Sequence, residues 1–298
     1  MEPVYSIIIP HYNTPELLVR CLRSIPVRRD VQVIVVDDCS PGATEYTIKY
    51  PELSRPFVEF YSTTEGGSAG RARNVGLQHA RGRWCMFADA DDYYEDGFLD
   101  KISRELDDSL EILYFNISGT GHRAQQHQKI FELYQTNHDE TEIRYHIWEP
   151  WNKVFSLQFI FDNQLHFEEV PVGNDAMFCL KASRAARHYR IIEQQLYCLT
   201  DNIGSISYRA LSFEREMNYA KVRTRINLFM AEQGLELRYG YRLFSIHRFL
   251  RFRREYGWCN SLQYACYISR HYGIIRALYY NLARLKFQYA HPDLIFCD

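Results

Sequence analysis

Two short runs of β-branched residues, Val4–Pro10 and Val31–Asp38, stand either side of one helix-length segment, and this spacing constrains the fold more than any other feature. Runs this apolar and this short read as strands buried on both faces, as in a parallel sheet. Between them Thr14 can cap a helix with Pro15 at its first position, and Leu17, Leu18, Cys21, Leu22 and Ile25 recur at helical spacing. Phe57–Tyr61 reads as a third strand, Glu65–Gly70 as a glycine-rich turn and the stretch through Arg73–Ala80 as a helix. Trp84–Ala88 is a fourth strand that runs into Asp89-Ala90-Asp91-Asp92. The alternation predicts an α/β chain with a mostly parallel sheet flanked by helices, in which ligands bind beyond the carboxyl ends of the strands. Asp37, Asp38, Asp89, Asp91 and Asp92 all fall there, and carboxylates so gathered repel one another unless a cation or donor groups compensate.

A further strand is expected at Ile112–Ile117, and a hairpin or mobile loop across the polar, His- and Gln-rich stretch Gly119–Thr141. The pattern turns helical after Trp148–Phe155 and again over Asn174–Ala182, with Asn174 or Gly173 near the cap. From Phe213 the composition shifts to Arg, Tyr, Phe and Leu, which sets a boundary near residue 210 between a first domain, 1–210, and a helical tail, 211–298. Aromatic residues make up 15% of the chain, with 23 tyrosines, a content useful for stacking on bases and sugars or for sitting at a membrane interface. The 8 cysteines are scattered without C-x-x-C or zinc spacing and read as reduced packing residues. Neither a signal-peptide pattern nor a run of about 18 apolar residues is present, so the expectation is a cytosolic protein that does not span a membrane.

Asp89-Ala90-Asp91 at the end of an apolar strand puts two carboxylates in a tight turn. That suits Mg²⁺ or Mn²⁺, which take one or two protein carboxylates and draw their other ligands from water and phosphate. Taken alone, the triplet reads more readily as a solvated turn between strand and helix. The Gly66-Gly67 pair matches neither the Walker loop nor the dinucleotide fingerprint, which argues against kinase and dehydrogenase chemistry.

The order of the segments resembles the family 2 glycosyltransferases. Ser6–Asn13, Val33–Ser40, Gly67–Leu77, Met86–Tyr93, Trp151–Phe155, Asn174–Phe178 and Gly204–Ser207 each look like a segment of that family, over roughly residues 4 to 210. The resemblance implies a GT-A type, Rossmann-like fold with a C-terminal helical extension. It also implies inverting transfer from a nucleotide sugar, by preference a UDP-sugar, to a glycan or lipid-linked acceptor in cell-surface polysaccharide assembly, with Mn²⁺ or Mg²⁺ as cofactor. By the same resemblance Pro10, Tyr12 and Asn13 line the nucleoside pocket, Asp38 accepts from the base and Arg73 approaches base or diphosphate. Asp91 ligates the metal and Asp89 meets the ribose or a metal-bound water, while Asp92 has no assigned contact and is otherwise a cap for the helix that follows. Tyr12 is otherwise loop packing, and Arg73 otherwise a surface ion pair.

Inverting transfer needs a general base, and Asp175 occupies the position of the aspartate in the family's Glu-Asp pair. Asn174 replaces the glutamate and so removes a charged neighbour that would raise the Asp175 pKa. The other reading of Asp175 is a helix N-terminal carboxylate favoured by the dipole. Trp151 is a platform for a sugar face or a core residue, and Lys153 orients acceptor or phosphate.

From Arg238 to Lys286 the only acidic residue is Glu255, against ten Arg or Lys, and Leu243, Ile246, Phe249 and Leu250 recur at helical spacing. Such a segment, 238–286, is expected either to make peripheral contact with an anionic membrane at the inner face of the cell membrane or to form a helical hairpin whose aromatic face packs on the catalytic domain. No nucleic-acid-binding module is recognisable, and no nucleic-acid partner is expected. Two other functions stay open: a nucleotide-sugar-binding protein without transfer activity, and a sugar nucleotidyltransferase. The second should carry a glycine-rich phosphate loop with Arg and Lys, which Pro10–Pro15 lacks.

Overall fold

Every position of β1 (Tyr5–His11) and β2 (Val31–Asp37) is buried, the signature of central strands covered on both faces. The computed structural model describes residues 2–43, 46–200 and 212–291, and the chain divides into two compact units, Met1–Ser205 and Ile206–Asp298. The expected boundary at residue 210 and the Gly204–Ser207 segment lie outside the described residues.

In the first unit β3 (Val58–Ser62), β4 (Trp84–Phe87), β5 (Tyr93–Tyr94), β6 (Ile112–Ser118), β7 (Lys153–Ser156) and β8 (Tyr189–Cys198) complete an 8-stranded sheet ordered β3-β2-β1-β4-β7-β6-β8-β5. The strands from β3 to β4 are parallel, β7 runs antiparallel between β4 and β6, β8 is parallel to β6, and β5 is antiparallel to β8. The helices of this unit are α1 (Pro15–Ser24), α2 (Tyr46–Lys49), α3 (Ala69–His79), α4 (Phe98–Glu105), α5 (His122–Asn137), α6 (Glu140–His146), α7 (Leu157–Asp162) and α8 (Ala176–Ala185).

This topology collects one set of chain ends. His11 pairs with Asp37 and Ile8 with Phe87, so β1, β2 and β4 finish at the same sheet edge. Because β7 is reversed, with Met86 opposite Val154, its beginning lies at the edge where β4 ends. An aromatic cluster then fixes α8 against that edge. Phe87 meets Phe178 edge to face at 5.7 Å and Phe167 at 5.0 Å, while Phe167 and Phe178 stack at 4.0 Å. Such ring pairs add about 0.5–1.5 kcal/mol each beyond the burial of their area. Phe87 lies two residues before Asp89 and Phe178 three after Asp175, so the cluster sets the separation of those carboxylates.

Gly70 allows the closest backbone approach in this region. A Cβ there would lie 2.2 Å from the Glu168 carbonyl oxygen and 2.9 Å from the Asn174 Cβ. Neither the backbone oxygen nor Asn174 can retreat without moving the loop ahead of α8. Gly70→Ala is therefore expected to destabilise the protein by about 1–3 kcal/mol, the range of overpacked sites, read as a lower urea midpoint at unchanged slope.

The structure corrects several sequence expectations. Gly119–Thr141 holds no hairpin; it forms α5 and the start of α6, with Ala124, His127, Ile130 and Phe131 on the buried face and the polar residues turned to solvent. The helical spacing is present there but diluted by His and Gln. β7 falls where no strand is evident, because four residues carry too short a pattern. β8 lacks clean alternation since its pairing with β6 slips at Phe115 and Asn116. Cys21, Cys85, Cys179 and Cys198 are buried, whereas Cys39, Cys259 and Cys266 are exposed, and Cys297 lies outside the described residues.

The second unit holds α9 (Phe213–Glu232), α10 (Glu236–Tyr239), α11 (Ile246–His271) and α12 (Ile274–Ala290). α11 breaks at Gly257, where φ is +83°. Its core is built on Met217, Leu243, Phe252, Tyr264, Ile268 and Ala277. α12 turns Ala277, Tyr280 and Arg284 inward and leaves Ile275, Tyr279, Leu282 and Tyr289 exposed at 85, 72, 63 and 92%. Among the described residues no helix is long and apolar enough to cross a membrane.

Candidate active site

After β4 the chain turns sharply, with the Asp89 N–H donating to Tyr197 Oη at 2.9 Å and the Asp92 N–H to the Asp89 carbonyl at 3.1 Å. Asp89, Asp91 and Asp92 each offer a carboxylate oxygen, and these oxygens all lie within 4.8 Å of one another. Asp92 is buried; its Oδ2 accepts from Tyr197 Oη at 3.1 Å and its Oδ1 from the Thr200 N–H at 2.8 Å. Burial, and then the charges of Asp89 and Asp91, push its carboxyl well above the usual range. Asp92 caps no helix, contrary to expectation: the next helix, α4, is preceded by Gly97, and Asp92 instead ties the acidic turn to the end of β8. Clustered hard oxygen donors of one sign fit Mg²⁺ or Mn²⁺. Asp92 is the buried member of the three, so the half-buried Asp89 and Asp91 are the residues that would hold such an ion.

Arg73 links this turn to α8. Its guanidinium donates to Asp89 Oδ1 at 2.7 Å and to Asn174 Oδ1 at 2.8 Å, and lies over the Phe167 ring at 5.4 Å. At 4% exposure it is a buried strut, with different partners from the base or diphosphate that the sequence suggests. The amide at position 174 suits this strut, since its oxygen accepts from Arg73 without adding a charge.

Asp175 sits at the N-cap of α8 but its side chain makes no capping bond, so the carboxylate is not consumed in closing the helix. Part of its surface stays open, yet burial of the remainder is the largest influence and raises its pKa to about 6; Arg73 pulls it down, while Glu149 and Asp89 push it up. Glu149 therefore exerts the like-charge effect that Asn174 cannot. Burial works to raise Glu149 itself, but His127 and then Arg123 outweigh it and keep this carboxyl ionised, well below its usual range. His127 Nε2 lies 3.4 Å from one Glu149 oxygen and Arg123 3.4 Å from the other. Glu149→Gln is expected to lower the Asp175 titration from about 6, as followed by the carboxyl ¹³C shift of Asp175 against pH.

The loop after β1 and the glycine turn before α3 meet at the same edge. Pro10 is buried in β1 opposite Val36, Tyr12 stands 56% exposed, and Asn13 takes a left-handed φ of +51° with its N–H donating to Ser40 Oγ at 2.7 Å. Asp38, which the resemblance sets against the base, is buried; it accepts from Thr63 Oγ1 at 2.9 Å and from the Gly67 and Ser68 N–H groups at 2.7 and 2.8 Å. In this arrangement the carboxylate shapes the glycine turn.

Trp151 and Lys153 are both 1% exposed. The Trp151 indole stacks on Tyr197 at 5.4 Å, which makes it core. Lys153 Nζ donates to the Ile147 and Glu149 carbonyls and to Asn152 Oδ1 at 3.0, 2.7 and 2.8 Å, and burial lowers its pKa. Neither offers a surface to an acceptor, because each is enclosed by the protein it supports. Glu149, His127, Arg123, Tyr197 and His11 are the site residues that sequence reasoning passes over. Only His11, inside the SIIIPHYN segment, carried a local signal.

Residues 6–161 match the family described as glycosyl transferase family 2. Poly(ribitol-phosphate) beta-N-acetylglucosaminyltransferase TarS of Staphylococcus aureus is 27% identical over 202 residues, which make up 65% of this chain and 35% of that protein. The chain thus spans about a third of the length of that relative. The structure of TarS 1–349 in complex with UDP-GlcNAc is similar with a TM-score of 0.60 at 21% identity, covering 75% of this chain and 65% of the other. The mannosyltransferase PcManGT from Pyrobaculum calidifontis, in complex with GDP-Man and Mn²⁺, gives 0.55 at 15% identity over 98% of this chain and 82% of its own. At these identities the structural likeness speaks for the fold, a GT-A type α/β sheet flanked by helices with C-terminal helices after it.

Proposed function

The chain belongs to glycosyl transferase family 2, and from that premise we propose that it is an inverting glycosyltransferase. It moves a sugar from a nucleotide sugar, a UDP-sugar by preference, to a hydroxyl of a glycan or lipid-linked acceptor in cell-surface polysaccharide assembly. The observation that carries this reading is the Arg73 strut, which joins Asp89 of the acidic turn to Asn174 beside a partly open carboxyl whose pKa is about 6. A base of that strength is mostly ionised at neutral pH and still takes a proton readily.

Asp175 accepts the proton of the acceptor hydroxyl as that oxygen bonds to the anomeric carbon from the face opposite the diphosphate. The bond from that carbon to the diphosphate oxygen breaks, and the nucleoside diphosphate leaves with the electron pair. A divalent cation held by Asp89 and Asp91 would neutralise the charge of that leaving group. Tyr12, exposed in the loop after β1, offers a ring to the base, and Asp38 keeps the Gly67 and Ser68 N–H groups in place. The TarS complex with UDP-GlcNAc supports the preference for UDP.

A thermal-shift screen of UDP-, GDP-, CDP- and dTDP-sugars with and without Mn²⁺ tests the reading. A donor at a hundred times its Kd stabilises the fold by about 2.7 kcal/mol. No shift with any of them would sink it.

The same proposal includes peripheral contact with an anionic membrane through 238–286, supported by the exposed apolar stripe of α12 and the arginine excess around it. Anionic liposomes should float the chain, and Tyr279→Ser with Leu282→Ser should abolish flotation. Equal flotation of wild type and variant removes this part of the reading.

A further inference from the structure

We infer that His11 is a positioning residue of the donor loop, held as the neutral Nδ1–H tautomer between Asp37 and Thr14, and that this tautomer sets how tightly the nucleotide is bound. The inference rests on the proposed donor site, since it assumes that the loop after β1 faces the nucleoside.

His11 closes β1 and is 3% exposed. Its Nδ1 lies 2.8 Å from Asp37 Oδ1, and its Nε2 lies 3.1 Å from the backbone nitrogen of Thr14. A backbone N–H can only donate, so Nε2 must be the unprotonated acceptor and the ring proton must sit on Nδ1, pointing at the carboxylate. Asp37 is engaged on its other side as well, Oδ2 accepting from the Ser40 N–H at 2.7 Å, and Ser40 Oγ accepts from the Asn13 N–H at 2.7 Å. The bonds close a ring from Thr14 through His11, Asp37 and Ser40 back to Asn13.

That ring pins the backbone on both sides of Tyr12, and it holds Asn13 in a left-handed conformation that an L-residue adopts at some cost. Thr14 precedes α1 without a side-chain cap bond, so the His11 ring takes the loop N–H that would otherwise turn to water. The Tyr46 ring meets His11 edge-on at 5.6 Å, and Tyr46 Oη donates to Asn13 Oδ1 at 3.3 Å. Among the described residues the groups facing the imidazole are thus Asp37 from β2 and Tyr46 from α2; the Asp38 carboxylate is turned away to Gly67 and Ser68. The other tautomer, with the ring proton on Nε2, would set two donors against each other at Thr14 and withdraw the donor from Asp37, releasing both sides of the loop.

Two substitutions divide the ring. His11→Asn places an amide nitrogen near the Nδ1 position and keeps the Asp37 contact, whereas His11→Gln can bring an amide oxygen toward Thr14 but not a donor to Asp37. UDP is titrated calorimetrically, with GDP alongside, in Mn²⁺ at pH 8. Each variant should bind about tenfold more weakly than wild type at pH 8, the loss of one hydrogen bond near an ordered loop. In parallel, the ring ¹⁵N shifts of His11 in the nucleotide-free wild type should report the Nδ1–H tautomer. An Nε2–H tautomer, or variants that bind with wild-type affinity, overturns the inference and leaves the donor site standing. A wild type with the expected tautomer that binds neither nucleotide overturns the donor reading and this inference with it.

Discussion

Asp175→Asn is expected to lower glycosyl transfer by about 10²- to 10⁴-fold, the contribution of a general base, while leaving the nucleotide-induced thermal shift in place. The amide is isosteric, Asp175 makes no capping bond, and Arg73 binds its neighbour Asn174, so the head of α8 should keep its shape. The loss should therefore appear in turnover and not in donor affinity. The pH profile supplies a second reading. The carboxyl is raised to about 6 and acts as the ionised form, so wild-type activity climbs as pH rises through about 6 and levels off above it. In the variant that limb disappears. Transfer at the wild-type rate would remove Asp175 from the mechanism.

Asp91→Asn is expected to cost about 10²-fold or more in transfer, because a metal at a departing diphosphate is worth several kcal/mol and each 1.36 kcal/mol is tenfold. The metal-free protein should behave in the opposite sense. Asp89, Asp91 and Asp92 hold carboxylate oxygens within 4.8 Å of one another, so neutralising one relieves repulsion. The variant should melt at the wild-type temperature or above it without metal, yet lose the rise in melting temperature that Mn²⁺ gives the wild type. Electron paramagnetic resonance of free Mn²⁺ measures the same loss without any turnover. An unchanged Mn²⁺ titration would leave Asp91 a residue of the turn only.

The framework of the first unit was legible along the chain. Val4–Pro10, Val31–Asp38 and Trp84–Ala88 are short, mostly apolar runs rich in β-branched or aromatic residues, the composition of strands covered on both faces. Their carboxyl ends therefore had to carry Asp38 and Asp89 to one edge. The same reasoning failed over Gly119–Thr141, where one buried face of Ala124, His127, Ile130 and Phe131 is hidden among histidines and glutamines. With α5 unseen, His127 and Arg123 could not be placed, and without them nothing marks Glu149 as the charge beside Asp175.

Local pattern by itself determined the β-α-β order, the acidic turn after β4 and a helix headed by Asn174 and Asp175, while only the resemblance to the family made Asp175 a candidate base. Each depends on residues within a few positions of one another, where backbone sterics and burial period act directly. Tertiary structure alone decided what the side chains at the edge do. Arg73 and Asn174 are 101 residues apart, Asp89 and Tyr197 108, and His11 and Asp37 26. Whether an arginine meets a diphosphate or a buried amide depends on which strands lie side by side, and a reversed β7 beside β4 is what carried Trp151 and Lys153 into the core. Burial then did what charge counting could not: it raised Asp175 although the neighbouring glutamate is absent.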